Sequence, residues 1–216
     1  MIRAIIFDLD NTLYDEDLYF LKVFEEFSDR HGLDIERIKQ KFSAEFRLES
    51  KDIFGDILKK IGYYTIENQN ELFDLYASID CELRLYDDAY NVLEYAKKHN
   101  LKVVVITNGI IKVQKNKVKV LNISKKVSNI IYARELGVEH EKPSPYAFNK
   151  ALDILGVGIS EVLYVGDHPQ TDIKGAINVG IRAIRFMSGY ASRIKYDHPD
   201  NIKNLSEIKK YVEGEV

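Results

Sequence analysis

The sequence predicts an α/β protein in which a parallel sheet with crossover helices carries an all-helical module inserted directly behind its first strand. Three observations predict it. An apolar, β-forming run, Ile5-Ile6-Phe7, stops abruptly at Asp8-Leu9-Asp10. From Asp15 to Leu85 apolar residues recur at helical spacing and no strand-like segment intervenes. From Asp87 onward the order is helix, strand, helix, strand, the alternation of a parallel sheet. The expected division is a core of residues 1–14 and 86–216 and a helical module over 15–85.

Taken in order, the first strand delivers two carboxylates two residues apart. Positions i and i+2 of a strand point to the same side, and open α/β sheets bind ligands at the carboxyl ends of their strands. Two acids there repel each other and need an outside partner, most simply a hard divalent cation such as Mg²⁺. Read alone, Asp8-Leu9-Asp10-Asn11 is equally an ordinary polar turn. Behind it, Leu18, Leu21, Val23, Phe24 and Phe27 mark a helix that Gly32 stops, and amphipathic stretches follow near 35–48, 51–61 and 68–80. The module holds 17 acidic and 10 basic residues, a balance of −7, so it would repel a polyanion.

In the second half, a helix ends near His99, and Leu101 to Thr107 is a β-branched strand capped by Asn108-Gly109. A helix over 112–121, a short strand Ile130 to Tyr132, a helix Tyr146 to Leu155, a strand Val162 to Val165 and a last strand Ile181 to Ile184 follow. Lys112, Lys115, Lys117 and Lys119 read as a solvated helix face rather than a nucleic-acid patch.

Composition narrows the functional classes. The 216 residues are 45% hydrophobic and 30% charged, enough for one large domain or one carrying a smaller insert. A net charge of −3 with interspersed signs predicts no nucleic-acid partner and no membrane-surface role. A single Cys81 excludes an internal disulfide and a Cys-rich zinc site, and is expected to be buried and inert. No basic-then-apolar leader and no apolar run of roughly 20 residues is present, so the expected location is cytoplasmic.

Three later segments repeat the pattern of a strand ending in polar groups. Thr107-Asn108-Gly109 brings a hydroxyl, an amide and a permissive glycine that suit phosphoryl oxygens. Lys142 precedes Pro143-Ser144-Pro145 at the entrance of a helix, and Gly166-Asp167 with Asp172 brings two more acids to a strand end. Each has a plain alternative as turn, surface lysine or helix cap.

The ordered set, Asp-x-Asp-x-Thr, then Thr-Asn-Gly, then Lys-Pro, then Gly-Asp-x4-Asp, resembles the haloacid dehalogenase superfamily of hydrolases across nearly the whole chain. The resemblance implies a flavodoxin-like core with a mobile helical cap inserted after the first motif. It makes Asp8 the nucleophile, Asp10 the general acid/base, Thr107 and Asn108 phosphoryl ligands, and Lys142 the partner of nucleophile and phosphate. For the magnesium ion it implies Asp8, Asp167 and the backbone carbonyl of Asp10 as contacts, with Asp172 in support. The implied activity is Mg²⁺-dependent hydrolysis of a small phosphorylated substrate through an aspartyl-phosphate. A phosphosugar mutase and a 2-haloacid dehalogenase remain as alternatives, and a non-catalytic binding module fits less well because all the catalytic residue types are present. His168, where many relatives carry Ser or Thr, is read as a structural histidine under Pro169, with a contact near the metal as the alternative. Arg47, Lys51, Tyr63 and Tyr64 are possible substrate contacts in the cap, with no role assigned to any of them.

Overall fold

The computed structural model describes residues 1–215. Six strands, β1 (Ala4–Phe7), β2 (Lys102–Thr107), β3 (Asn129–Tyr132), β4 (Val162–Gly166), β5 (Arg182–Phe186) and β6 (Asn201–Ile202), form one sheet in the order β3-β2-β1-β4-β5-β6. Every neighbouring pair is parallel. β1 is central, with Ala4 facing Lys102 on one side and Val162 on the other. That register brings the carboxyl ends of β1, β2 and β4 together, which is where the polar motifs lie.

The two-residue period of the strands divides the core into two layers. Ile5 and Phe7 pack with Val103, Val105, Leu163 and Val165 on one face, while Ala4 and Ile6 pack with Val104, Ile106 and Tyr164 on the other. The second face is covered by α8 (Pro145–Leu155) and α9 (Lys174–Asn178), through Phe148, Ala151 and Ala176. The first is covered by α6 (Asp87–Lys98) and α7 (Ile111–Val120), with a final helix, α10 (Ile208–Glu213), at its edge.

Residues 15–85 contain helices and no strand: α1 (Glu16–His31), α2 (Glu36–Lys39), α3 (Ala44–Glu49), α4 (Ile53–Lys60) and α5 (Ile66–Ser78). Asp15 caps α1 by accepting from the backbone N–H of Asp17 at 2.9 Å, and Gly32, in the left-handed region at φ 62°, ends it. The stretch expected over 35–48 is two short helices, because Ser43 starts a new one by accepting from the N–H of Phe46. An aromatic cluster of Phe20, Phe24, Phe42, Phe54 and Tyr76, with centroid spacings of 4.8 to 6.4 Å, fills the module. It is continuous with the Ile5/Phe7 face of the sheet. Helix α7 is tied to the module by Asn116, whose amide donates to the Ile79 carbonyl at 2.7 Å and to the Tyr19 hydroxyl at 2.9 Å.

Three expectations need correction. Strand β6 follows the last strand anticipated, and two residues alternating exposed and buried leave no periodic trace. Cys81 is half-buried rather than fully buried, with burial pushing its thiol up from the ordinary value. Lys117 does not belong to a solvated face, since its side chain is 1% exposed and ion-paired, as described below. Among the described residues no helix is long and apolar enough to cross a membrane.

Candidate active site

The carboxyl ends of β1, β2 and β4 open into a polar cavity of about 240 Å³, lined by the acids Asp8, Asp10, Glu16, Asp167 and Asp172 together with Asn108, Lys142 and His168. Lys142 is its hub. Its buried ammonium donates to Asp8 Oδ1, to Asp172 Oδ1 at 2.7 Å, to the Ile106 carbonyl at 3.1 Å and to the Tyr164 hydroxyl at 3.1 Å. Tyr164 in turn donates to Asp172 Oδ1 at 2.7 Å. Asn108 holds the lysine backbone from both sides: its Nδ2 donates to the Lys142 carbonyl at 3.0 Å and its Oδ1 accepts from the Lys142 N–H at 2.9 Å. That pairing places the lysine, and one Nδ2 hydrogen remains on a side chain that lines the cavity.

Asp172 approaches the end of β4 because position 166 has no side chain, since a Cβ there would come within 2.6 Å of Asp172 Cβ and Cγ. Its Oδ2 accepts from the backbone N–H of His168 at 3.0 Å, and Asp8 Oδ2 accepts from the Thr12 hydroxyl at 3.3 Å. Asp8, Asp167 and Asp172 each offer an oxygen, and the three lie within 4.8 Å of one another. Burial and the neighbouring charges of Asp172 and Asp10 outweigh the pull of Lys142 and push Asp8 up to about 8. Burial, then Asp172 and Asp8, likewise holds Asp167 well above the usual carboxylate range. Burial opposes the charge on Lys142, but Asp172 and Asp8 win and keep it above its ordinary value.

This donor set fits a hard divalent cation. The ligand atoms are all oxygens, three carboxylates face one ammonium, and no hydrogen-bond donor among the described residues meets the buried Asp167 carboxylate. Of the predicted metal-site residues, Asp8, Asp167 and Asp172 come together; the Asp10 carboxylate lies outside the cluster.

Asp10 is held by a separate set of donors. Its Oδ1 accepts from the Tyr14 hydroxyl at 2.5 Å and the Lys117 ammonium at 2.9 Å, and its Oδ2 from Gln114 Nε2 at 2.7 Å. Gln114 Nε2 also donates to the hydroxyl of Thr107, which is buried and is not among the residues lining the cavity. Lys117 further donates to Glu16 Oε1 at 2.7 Å, and Glu16 Oε2 accepts from Arg47 at 2.5 Å. Burial works against the charge on Glu16, yet Lys117 and Arg47 draw its carboxyl down to about 2.

Arg47, a possible substrate contact by sequence, is buried and paired with Glu16 and Asp17, its guanidinium 4.7 Å from the Tyr190 ring centroid and 4.5 Å from that of Phe20. Tyr63 bonds to His31, and Tyr64 to Gln69; neither these two nor Lys51 lines the cavity. His168 does line it, with Nδ1 accepting from the N–H of Gln170 at 3.3 Å. Sequence reasoning missed Tyr14, Glu16, Gln114, Lys117 and Tyr164. For Gln114 and Lys117 a signal existed: they stand three residues apart on one helix face, beside Val113 and Val118.

Fold and constellation define the class: a hydrolytic enzyme whose acidic site lies at the carboxyl edge of a parallel sheet. The chain belongs to the haloacid dehalogenase-like hydrolases, whose family profile matches residues 5–186. It is 30% identical over 157 residues to a phosphoserine phosphatase of Thermus thermophilus, an alignment covering 72% of this chain and 62% of that protein. It is 26% identical to a glyceraldehyde 3-phosphate phosphatase of Methanopyrus kandleri, covering 95% of this chain and 92% of the relative. The magnesium-bound HAD-hydrolase YfnB from Bacillus subtilis has the same fold, with a TM-score of 0.75 over 98% of both chains at 18% identity.

Proposed function

We propose that the protein is a Mg²⁺-dependent phosphatase that hydrolyses a small phosphate monoester through an aspartyl-phosphate on Asp8. The chain is a phosphoric monoester hydrolase, in keeping with its phosphatase relatives. The observation that carries the finer reading is the pairing of two differently held carboxylates: Asp8 inside the acidic cluster against Lys142, and Asp10 outside it with its own donors. An oxygen of Asp8 attacks phosphorus, the ester P–O bond breaks, and the leaving oxygen takes a proton from Asp10. Asp10 then takes a proton from water, whose oxygen attacks the same phosphorus and releases phosphate and the Asp8 carboxylate. Lys142 neutralises charge on the transferring group from its fixed position. Asp8, Asp167, Asp172 and the Asp10 carbonyl would hold Mg²⁺, which supplies further neutralisation of the phosphoryl oxygens. Residues 15–85 act as the cap over this site and the remainder as the catalytic core.

Metal dependence is the direct test. Stripped protein in excess EDTA should leave p-nitrophenyl phosphate untouched and recover with Mg²⁺, while Ca²⁺ should support turnover poorly because its shell is larger and looser. Undiminished hydrolysis after stripping would sink the metal assignment.

Local charge narrows the substrate. Six carboxylates, on Asp8, Asp10, Glu16, Asp17, Asp167 and Asp172, share three cations, and each cation already bonds two acids: Lys142 with Asp8 and Asp172, Lys117 with Asp10 and Glu16, Arg47 with Glu16 and Asp17. With the buried Arg185, whose Nε donates to the Asp167 carbonyl at 3.3 Å and which among the described residues meets backbone carbonyls only, the group is at −2, and a divalent ion would bring it to zero before the phosphate arrives. A second anionic group on the substrate would find no unspent partner. Glycerol phosphate should therefore exceed phosphoglycolate in kcat/KM by at least about tenfold, equivalent to about 1.4 kcal/mol. Equal or better use of phosphoglycolate would refute this selection.

A further inference from the structure

We infer that Lys117, together with Gln114, is a positioning residue that aims the Asp10 carboxylate at the leaving oxygen, so that helix α7 sets the acid/base step. The inference rests on the reading of Asp10 as general acid/base. A carboxylate has about four lone-pair sites. Tyr14 and Lys117 occupy two on Oδ1, and Gln114 occupies one on Oδ2. One site on Oδ2 is left over, on a side chain that is 21% exposed and lines the cavity. That is the site from which a proton can pass to substrate or be taken from water. With any of the three donors missing, the carboxylate could turn about its side chain, and a reacting group displaced by about 1 Å can lose about 100-fold in rate.

The cost of building the clamp argues that it is more than a surface ion pair. Lys117 gives up hydration entirely, at 1% exposure, and regains it through Asp10, Glu16 and the rings of Tyr19 and Tyr76, at 5.4 and 5.1 Å from their centroids. Gln114 spends both amide hydrogens, one on Asp10 and one on Thr107. The same helix is fastened to the helical module through Asn116, so the clamp sits on a braced element.

The test compares leaving groups. Lys117→Met and Gln114→Leu keep side-chain volume while removing the donor, and the second keeps the question answerable if the first does not fold. Both should lower kcat about 10- to 100-fold, the scale of partners that orient a reacting group, on an alkyl phosphate such as glycerol phosphate, with KM little changed. The loss in the first half-reaction with p-nitrophenyl phosphate should be much smaller, since a good leaving group needs little protonation, and phospho-enzyme should accumulate in rapid-quench mass spectrometry. Asp10→Asn should behave the same way more strongly. Equal losses on both substrates with no accumulated intermediate, while Asp10→Asn retains its leaving-group dependence, would overturn the positioning role and leave the Asp10 assignment standing. Absence of leaving-group dependence in Asp10→Asn itself would overturn that assignment and this inference with it.

Discussion

Asp8→Asn is expected to abolish turnover and phospho-enzyme formation together, a loss on the order of 10⁴–10⁶-fold of the kind seen when a covalent nucleophile is removed. The substitution is isosteric, and the amide oxygen it introduces can still accept a hydrogen bond from Lys142 or Thr12, so the site should keep its shape. What disappears is the proposed carboxylate nucleophile, and two neighbouring acids are already engaged: Asp10 is turned toward Tyr14, Lys117 and Gln114, and Asp172 toward Lys142, Tyr164 and the His168 N–H. Fold integrity should persist as well, because one of three mutually repelling acids has lost its charge. Intact-mass measurement after mixing with acetyl phosphate decides the matter. A phosphorylated Asp8→Asn protein, or activity within about tenfold of the parent, would remove Asp8 from the role of nucleophile.

Lys142→Met should damage both activity and stability. The ammonium is the shared donor for Asp8, Asp172, the Ile106 carbonyl and Tyr164, all buried, and methionine offers none of them a hydrogen bond. Breaking a buried pair by removing one partner typically costs about 3–5 kcal/mol, because the charge left behind is uncompensated. Catalysis should fall by about 10²–10³-fold, the usual penalty for losing one preorganised donor at a centre of developing charge. Thermal unfolding separates the two effects: in EDTA the variant should melt well below the parent, and millimolar Mg²⁺ should narrow the gap by supplying positive charge to the same acids. Identical melting of variant and parent in EDTA would show that the lysine is not the electrostatic keystone described here.

Most of the sheet was legible because its strands are largely apolar and β-branched, and three of them, β1, β2 and β4, end in polar motifs that the parallel register gathers on one edge. Two acids of the cluster and the lysine facing them were found for the same reason, since Asp8, Asp167 and Lys142 sit where a strand or loop meets the site. The Asp10 clamp was not found, because its partners come from 104 and 107 positions away on a helix whose lysines alternate with apolar residues. Local pattern makes a lysine look solvated, and only distant acids can repay its burial. Asn108 and Thr107 show the converse: they lie at the carboxyl end of β2, where their motif was expected, while the partners they meet there, the Lys142 backbone and Gln114, come from separate segments. The helix breaks at Gln40 to Ser43 depend on a capping contact that periodicity does not register.

The central position of β1 has a consequence for how the chain comes to be folded. β1 is made before the other five strands of its sheet, yet its pairing partners begin at residues 102 and 162. At about 5–20 residues per second, the second partner emerges from the ribosome roughly 8–30 s after β1. The segment made before the first partner contains helices and no strand, so its own contacts are local and quickly formed. Its aromatic residues share one cluster with Ile5 and Phe7, which gives the waiting strand an apolar shelter before either of its edges can be hydrogen-bonded.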